Sequence, residues 1–324
     1  MIVCTYEDRP SALVGLKLLI LSLAHHCPQL QIHLYTPLRE KNFSEWLEKQ
    51  SNVVMKKLPD IRNTGWDIKP GLLLDLLNEG FENVIWLDSD IIVNRNFRPT
   101  MEAFQGDVLI AVEEHLWVTG HNSPQRTLYL GLELGRIFPI TINTCILRVT
   151  PYHRDLIGAW NSYLLRDDYK KSQSQSFDDR PWYLGSDQDI LAGLLGSTDF
   201  ADIPVKQLKS GANVAHCFCG YGYSVIDRIK NLFRGLPDFV HAQGPKPWEI
   251  PEALFSELSP YCYAAAHYKD YLDEPAKWME VKSGMARFFN FIALSNPNLR
   301  DFPLAVVYET RERWRSFTRR ADSQ

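Results

Sequence analysis

Two rhythms of apolar and polar positions alternate along the first ninety residues. Short stretches suited to strands, Met1–Tyr6, Gln31–Thr36 and the alternating Asn52–Leu58, are separated by segments whose apolar residues recur at helical spacing. Ala12 to Ala24 is one such segment and Phe43–Gln50 a second, with a polar face. Leu72, Leu73, Leu76 and Leu77 mark a third, with Pro70 placed for a first helical turn. Val84-Ile85-Trp86-Leu87 follows, an unbroken apolar run of the kind buried on both faces of a parallel sheet. This succession predicts an α/β fold with a doubly wound, mostly parallel sheet flanked by helices.

Further on, Asp107–Val112 reads as a strand running into Glu113-Glu114-His115, and 116–136 as a long connection. Ile140–Val149 is another buried strand with Asn143 inside it, and Tyr152–Leu165 a helix. Lys170–Asp179 has no apolar period, which predicts a mobile surface loop or lid. Ser186-Asp187-Gln188-Asp189 opens an apolar helix through Leu195, and Phe239–Trp248 is a short strand breaking into a Gly/Pro-shaped turn. Residues 251–324 read as mainly helical. The expected organisation is one α/β domain over 1–250 and a helical C-terminal extension over 251–324.

Composition narrows the class only modestly. In 324 residues, 45% hydrophobic and 23% charged is the balance of a soluble globular chain. A net charge of −4 does not favour wholesale nucleic-acid binding. Six scattered cysteines suggest reduced thiols, and Ala12 to Ala24 is too short to span a bilayer, so a cytoplasmic protein is expected. The end of the chain modifies that picture. Arg311–Arg320 carries five arginines against one glutamate, with Trp314 and Phe317 three apart on one helix face. It reads either as a solvated terminal helix or as a peripheral contact with anionic lipid.

The candidate chemistry centres on Asp88 and Asp90. In an extended segment residues i and i+2 face one side, and two convergent carboxylates repel unless a cation or proton sits between them. An apolar strand ending in two acids therefore calls for a hard metal at the carboxyl edge of the sheet, where open α/β sheets place their ligands. The alternative for Asp-x-Asp is a solvated turn. Ser186 with Asp189 fits a capping box, which leaves Asp187 and Gln188 free to face a ligand from a rigid helix start. His241, Gly244 and Lys246 fit a corner with imidazole on a metal and an ammonium on phosphate; the alternative is a packed histidine. His216-Cys217-x-Cys219 offers soft zinc ligands or, with no fourth ligand nearby, buried thiols.

WLDSD, the Asn within INTCILRV, SDQDIL and HAQGPKPW, in this order after a βα-wound start, resemble GT-A-fold retaining glycosyltransferases. The pattern over about residues 1–250 is similar to glycosyltransferase family 8, the glycogenin and lipopolysaccharide galactosyltransferase type. The resemblance implies manganese held by Asp88, Asp90 and His241, and Lys246 with Gly244 at the donor diphosphate. It implies uracil and ribose near Thr5 and Asp8, the donor sugar near Asn143, Asp187 and Gln188, and a basic Lys69 facing the donor. The implied reaction is transfer of a hexose from a UDP-sugar to a hydroxyl of a saccharide, glycolipid or protein, with retention. An imidazole among oxygen ligands suits Mn²⁺ better than Mg²⁺. The chain departs from the family where Pro245 alone separates Gly244 from Lys246, and where Asn143-Thr144-Cys145 replaces Asn-x-Gly. Two other classes fit parts of the pattern: a haloacid-dehalogenase-like phosphatase attacking through Asp88, and a non-catalytic sugar-nucleotide-binding protein. A nucleotidyltransferase lacks its Gly-rich loop after the first strand. Trp117 and Trp182 are candidates to shape the sugar pocket.

Overall fold

The computed structural model describes residues 1–60, 63–114, 124–217, 223–244, 246–249, 259–272, 302–303, 306–307 and 309–310. Ten strands lie among the described residues, in chain order β1 Ile2–Tyr6, β2 Ile32–Tyr35, β3 Val53–Lys56, β4 Val84–Leu87, β5 Ile91–Val93, β6 Leu109–Glu113, β7 Ile142–Val149, β8 Val205–Leu208, β9 Val214–His216 and β10 Phe239–His241. They build two sheets, each within its own compact unit. One unit comprises 1–8, 29–88 and 100–208; the other comprises 9–28, 89–99 and 209–324.

The larger sheet has seven strands in the order β3-β2-β1-β4-β7-β6-β8. β7 runs antiparallel to both β4 and β6, while every other neighbouring pair is parallel. The fold is thus mixed α/β with a mostly parallel sheet flanked by helices, as the apolar rhythm predicts. Every residue of β4 and β7 is buried, which is why these strands read as apolar runs rather than alternations. Helix Lys69–Asn78 turns Leu72, Leu73, Leu76 and Leu77 into the core, each fully buried. Burial of each is worth about 1.5–3 kcal/mol relative to exposure. Helices Arg154–Leu164 and Asp187–Leu195 complete this core with Leu156, Trp160, Ile190 and Leu194. β6 shifts register against β7 between Ile110 and Val112, so that Val112 lies opposite Asn143. Such an irregularity re-aims side chains at a sheet edge.

The reversal of β7 matters for chemistry. Its N-terminal end, with Asn143 and Thr144, lies at the edge where β1, β4 and β6 end, and Asp88 N donates to Cys145 O at 2.9 Å. A strand expected only to be buried therefore delivers two polar residues to the carboxyl edge.

In the second unit β10 pairs antiparallel with β5 and parallel with β9. Helix Leu13–His26 supplies Leu18 to a core shared with Ile92, Ala215, Val240 and Tyr261. Its Gly15 is required by packing, since a Cβ there would lie 2.8 Å from the Trp248 ring. Gly244, at φ 73°, makes the turn after β10 in the left-handed region that favours glycine.

Two expectations need correction. Lys170–Asp179 is only in part a loop: helix Asp167–Gln173 takes in its first four residues and a short 3₁₀ turn Phe177–Asp179 its last three, with 174–176 between them. Asp167 and Asp168 in its first turn and Lys170 and Lys171 in its last match the helix dipole, and Tyr169 and Ser172 are buried. Nor is the segment from Asp88 to Asp90 extended, for Ser89 and Asp90 form a turn. The i, i+2 argument for a shared face therefore does not hold, although two residues of covalent chain keep the acids close. Among the described residues no helix is long and apolar enough to cross a membrane. Arg311–Arg320, Trp117, His115 and Cys219 lie outside the described residues.

Candidate active site

At the carboxyl edge of the seven-stranded sheet a buried lysine meets two acids. Lys69, in the first turn of its helix, places Nζ 3.1 Å from Asp88 Oδ1, 3.4 Å from Asp187 Oδ2 and 3.0 Å from Thr144 Oγ1. Thr144 Oγ1 in turn donates to Asp187 Oδ2 at 2.9 Å, and the Trp86 indole donates to Asp88 Oδ1 at 2.6 Å. Burial opposes the Lys69 charge, but Asp187 and then Asp88 outweigh it and hold the ammonium above lysine's ordinary range. Burial likewise pushes the Asp187 carboxyl up, with Lys69 pulling against it. Within Asn143-Thr144-Cys145 the threonine hydroxyl thus bridges cation and acid.

The second group on this edge is neutral donors around an acid. Asn143 Nδ2 and Gln188 Nε2 both donate to Glu114 Oε2, at 2.6 and 3.0 Å. Asn143 Oδ1 accepts from Cys145 N at 2.8 Å, which leaves the Asn143 amide no freedom to flip. Helix Asp187–Leu195 holds Gln188 in its first turn, and its start is fixed by the expected capping box between Ser186 and Asp189. Asp189 also accepts from Arg126 Nε at 2.9 Å, so it is structural, whereas Asp187 and Gln188 face the edge groups.

Where β1 ends, Asp8 accepts from Tyr6 Oη at 3.1 Å and from Gly65 N at 3.3 Å. Thr5 Oγ1 is buried with no hydrogen-bond partner among the described residues, an open valence at the strand end. Nearby in sequence to Lys69, Asp67 accepts from Tyr169 Oη at 2.7 Å, and burial raises its carboxyl to about 7. A raised acid binds its proton more tightly when folded, so its stabilising effect is complete below about pH 4 and is lost as pH rises to about 7. Asp67→Asn, which keeps an acceptor for Tyr169, should raise the melting temperature more at pH 8 than at pH 5. Equal changes at both values would refute the assignment.

In the second unit Asp90, His241 and Lys246 form one cluster. His241 Nε2 lies 3.4 Å from Asp90 Oδ1, and the Lys246 ammonium contacts Asp90 Oδ2 and donates to Ala242 O at 2.6 Å. Burial alone would raise Asp90; Lys246 and then His241 outweigh it and hold the carboxyl well below its usual range. His241 Nδ1 lies 3.0 Å from His216 Nδ1, so one ring donates and the other accepts. His216 is thereby a partner of the candidate ligand, a role that its position in β9 opposite His241 creates and that no spacing in the sequence reveals. Cys4, Cys27, Cys145, Cys217 and Cys262 are buried and not joined in disulfides.

Fitness for a cation is tested by Asp90 itself. Its Oδ1 is buried without a hydrogen-bond partner, directly opposite an imidazole nitrogen, while an ammonium neutralises the other oxygen. One carboxylate oxygen and one imidazole nitrogen, both within this unit, are donor types that a divalent ion accepts.

Neither a protein-family model nor a curated protein matches the sequence. Solved structures do match the fold. The bifunctional glycosyltransferase WbbM in its apo form aligns at TM-score 0.50 and 13% identity, over 82% of this chain and 49% of that one. A galactosyltransferase, LgtC, solved with donor and acceptor sugar analogues, aligns at TM-score 0.49 and 18% identity, over 84% of this chain and all of that one. The glycosyltransferase GlyE of Streptococcus pneumoniae TIGR4 aligns at TM-score 0.46 and 18% identity, covering 82% of this chain and 62% of its own.

Proposed function

We propose that this chain, whose fold is that of solved glycosyltransferases, is itself a metal-dependent glycosyltransferase of the family 8 type. It moves a hexose from a UDP-sugar to a hydroxyl of a saccharide, glycolipid or protein acceptor, with retention of configuration. The observation that carries the reading is the buried Asp90 oxygen that makes no hydrogen bond and faces His241 Nε2 at 3.4 Å, two residues past a strand-end acid. Asp88, Asp90 and His241 are the residues that would hold Mn²⁺ or Mg²⁺, which when bound supplies Lewis-acid relief of charge building on the departing diphosphate.

The chain's own residues do the rest. Thr5 and Asp8 receive the nucleoside, the first with a buried hydroxyl still open to a partner and the second with a carboxylate fixed by Tyr6 and Gly65. Lys246, through the turn set by Gly244, is the phosphate-facing cation, and its ammonium contacts Asp90. Lys69 neutralises Asp88 and Asp187, which otherwise would repel both each other and an anionic donor. Breaking the sugar–phosphate bond leaves positive charge on the anomeric carbon, which Gln188 steadies, while Asn143 lines the donor sugar. The acceptor hydroxyl bonds to that carbon on the face the diphosphate leaves, and its proton passes to the departing phosphate oxygen.

A panel of nucleotide sugars with Mn²⁺, scored for donor hydrolysis and for thermal protection, tests the proposal. A UDP-hexose should both raise the melting temperature and be slowly hydrolysed. Protection by UDP with neither hydrolysis nor transfer would favour the non-catalytic binding protein, and absence of all three would overturn the reading.

A further inference from the structure

We infer that Glu114 is a positioning residue, which sets the polarity of the Gln188 side chain and thereby makes it an acceptor towards the reacting sugar. The inference rests on the reading above, although its geometry stands apart from it. Glu114 is buried directly after β6, 1% exposed, and one of its oxygens takes amide protons from both Asn143 and Gln188. A carboxylate accepts and never donates when ionised, so both amides must turn their NH₂ groups towards it. Asn143 is doubly fixed, because its carbonyl is held by Cys145 N. Gln188 is fixed on one side only. Its Nε2 is committed to Glu114, while its Oε1 has no partner among the described residues, and the residue is half-buried. The unassigned end of Gln188 is therefore a carbonyl oxygen, the end that favours developing positive charge.

The alternative role for a buried carboxylate beside a reacting sugar is direct attack on the anomeric carbon, giving a covalent glycosyl–enzyme ester with loss of the nucleotide. The two roles separate by substitution. Glu114→Gln retains an oxygen that can accept from both amides but is a poor nucleophile, while Glu114→Met keeps the volume and accepts nothing.

With the donor and acceptor that the wild-type protein uses, Glu114→Gln should keep kcat within about tenfold, and Glu114→Met should lose about 10–100-fold in kcat with donor KM little changed. Side-chain amide NMR gives a second readout that needs no activity. The Asn143 and Gln188 NH₂ signals should be protected from exchange in the wild type and in Glu114→Gln, and Gln188 should lose that protection in Glu114→Met. Protection unchanged in Glu114→Met, or Glu114→Gln as inactive as Glu114→Met with both folded, would overturn the assignment. A wild-type chain that neither transfers nor hydrolyses any nucleotide sugar would instead sink the glycosyltransferase reading, and the amide spectra would still decide on Glu114.

Discussion

Asp90→Ala should lower sugar transfer in the presence of Mn²⁺ on the order of a thousandfold, since metal relief of the leaving charge is worth several kcal/mol. The substitution removes both the open oxygen that faces His241 and the carboxylate that neutralises Lys246. The second effect is structural, because Lys246 is largely buried and loses its counter-charge. Asp90→Asn separates the two: it retains volume and an oxygen, yet gives up the negative charge that attracts a divalent ion. Both variants should show weak Mn²⁺ binding by titration, with Asp90→Asn melting nearer the wild type. Near-normal turnover of Asp90→Ala with metal supplied would refute the metal assignment, whatever the melting temperature.

Lys69→Met should be the most destabilising single change at the sheet edge. It leaves Asp88 and the buried Asp187 facing each other with no cation, and breaking such a buried pair costs about 3–5 kcal/mol. The melting temperature should fall by roughly 5–15 °C at pH 8. The sign of the pH dependence follows from Asp187. Burial already raises its carboxyl, and removal of Lys69 raises it further, so protonation relieves the variant at lower pH. The deficit should therefore shrink between pH 8 and pH 5. Adding Asp187→Asn to Lys69→Met should recover part of the loss, a coupling that a double-mutant cycle measures. A Lys69→Met protein that melts with the wild type at pH 8 would show that the three groups do not interact as described.

The candidate residues were legible from sequence to different depths. Asp88 stood out because four apolar residues led into it, and β4 is buried along its whole length. Asp187 and Gln188 were visible through the capping box, since Ser three residues before an acid marks a helix start, and the helix does begin there. Glu114, His216 and the bridging hydroxyl of Thr144 were not visible as functional groups. Each is a common residue in a buried strand or at its end, and its role exists only through a partner: Gln188 for Glu114, His241 for His216, and Lys69 for Thr144. The polar stretch Lys170–Asp179 misled for the opposite reason. Its few apolar residues give no helical period, but two acids at one end and two lysines at the other stabilise the helix that forms, and Tyr169 anchors it on Asp67.

Alone, the amino-acid order determined the α/β class, the strand that ends in Asp88, the helix that starts at Asp187 and the glycine turn after His241. These are local outcomes, set by apolar periodicity, capping and backbone freedom within a few residues. Only the tertiary structure decided the reversal of β7, which carries Asn143 and Thr144 to the sheet edge, and the separation of β4 and β5 into different sheets within five residues of each other. Strand direction and pairing depend on contacts between residues far apart in the chain, where many arrangements satisfy the same local pattern and packing selects one.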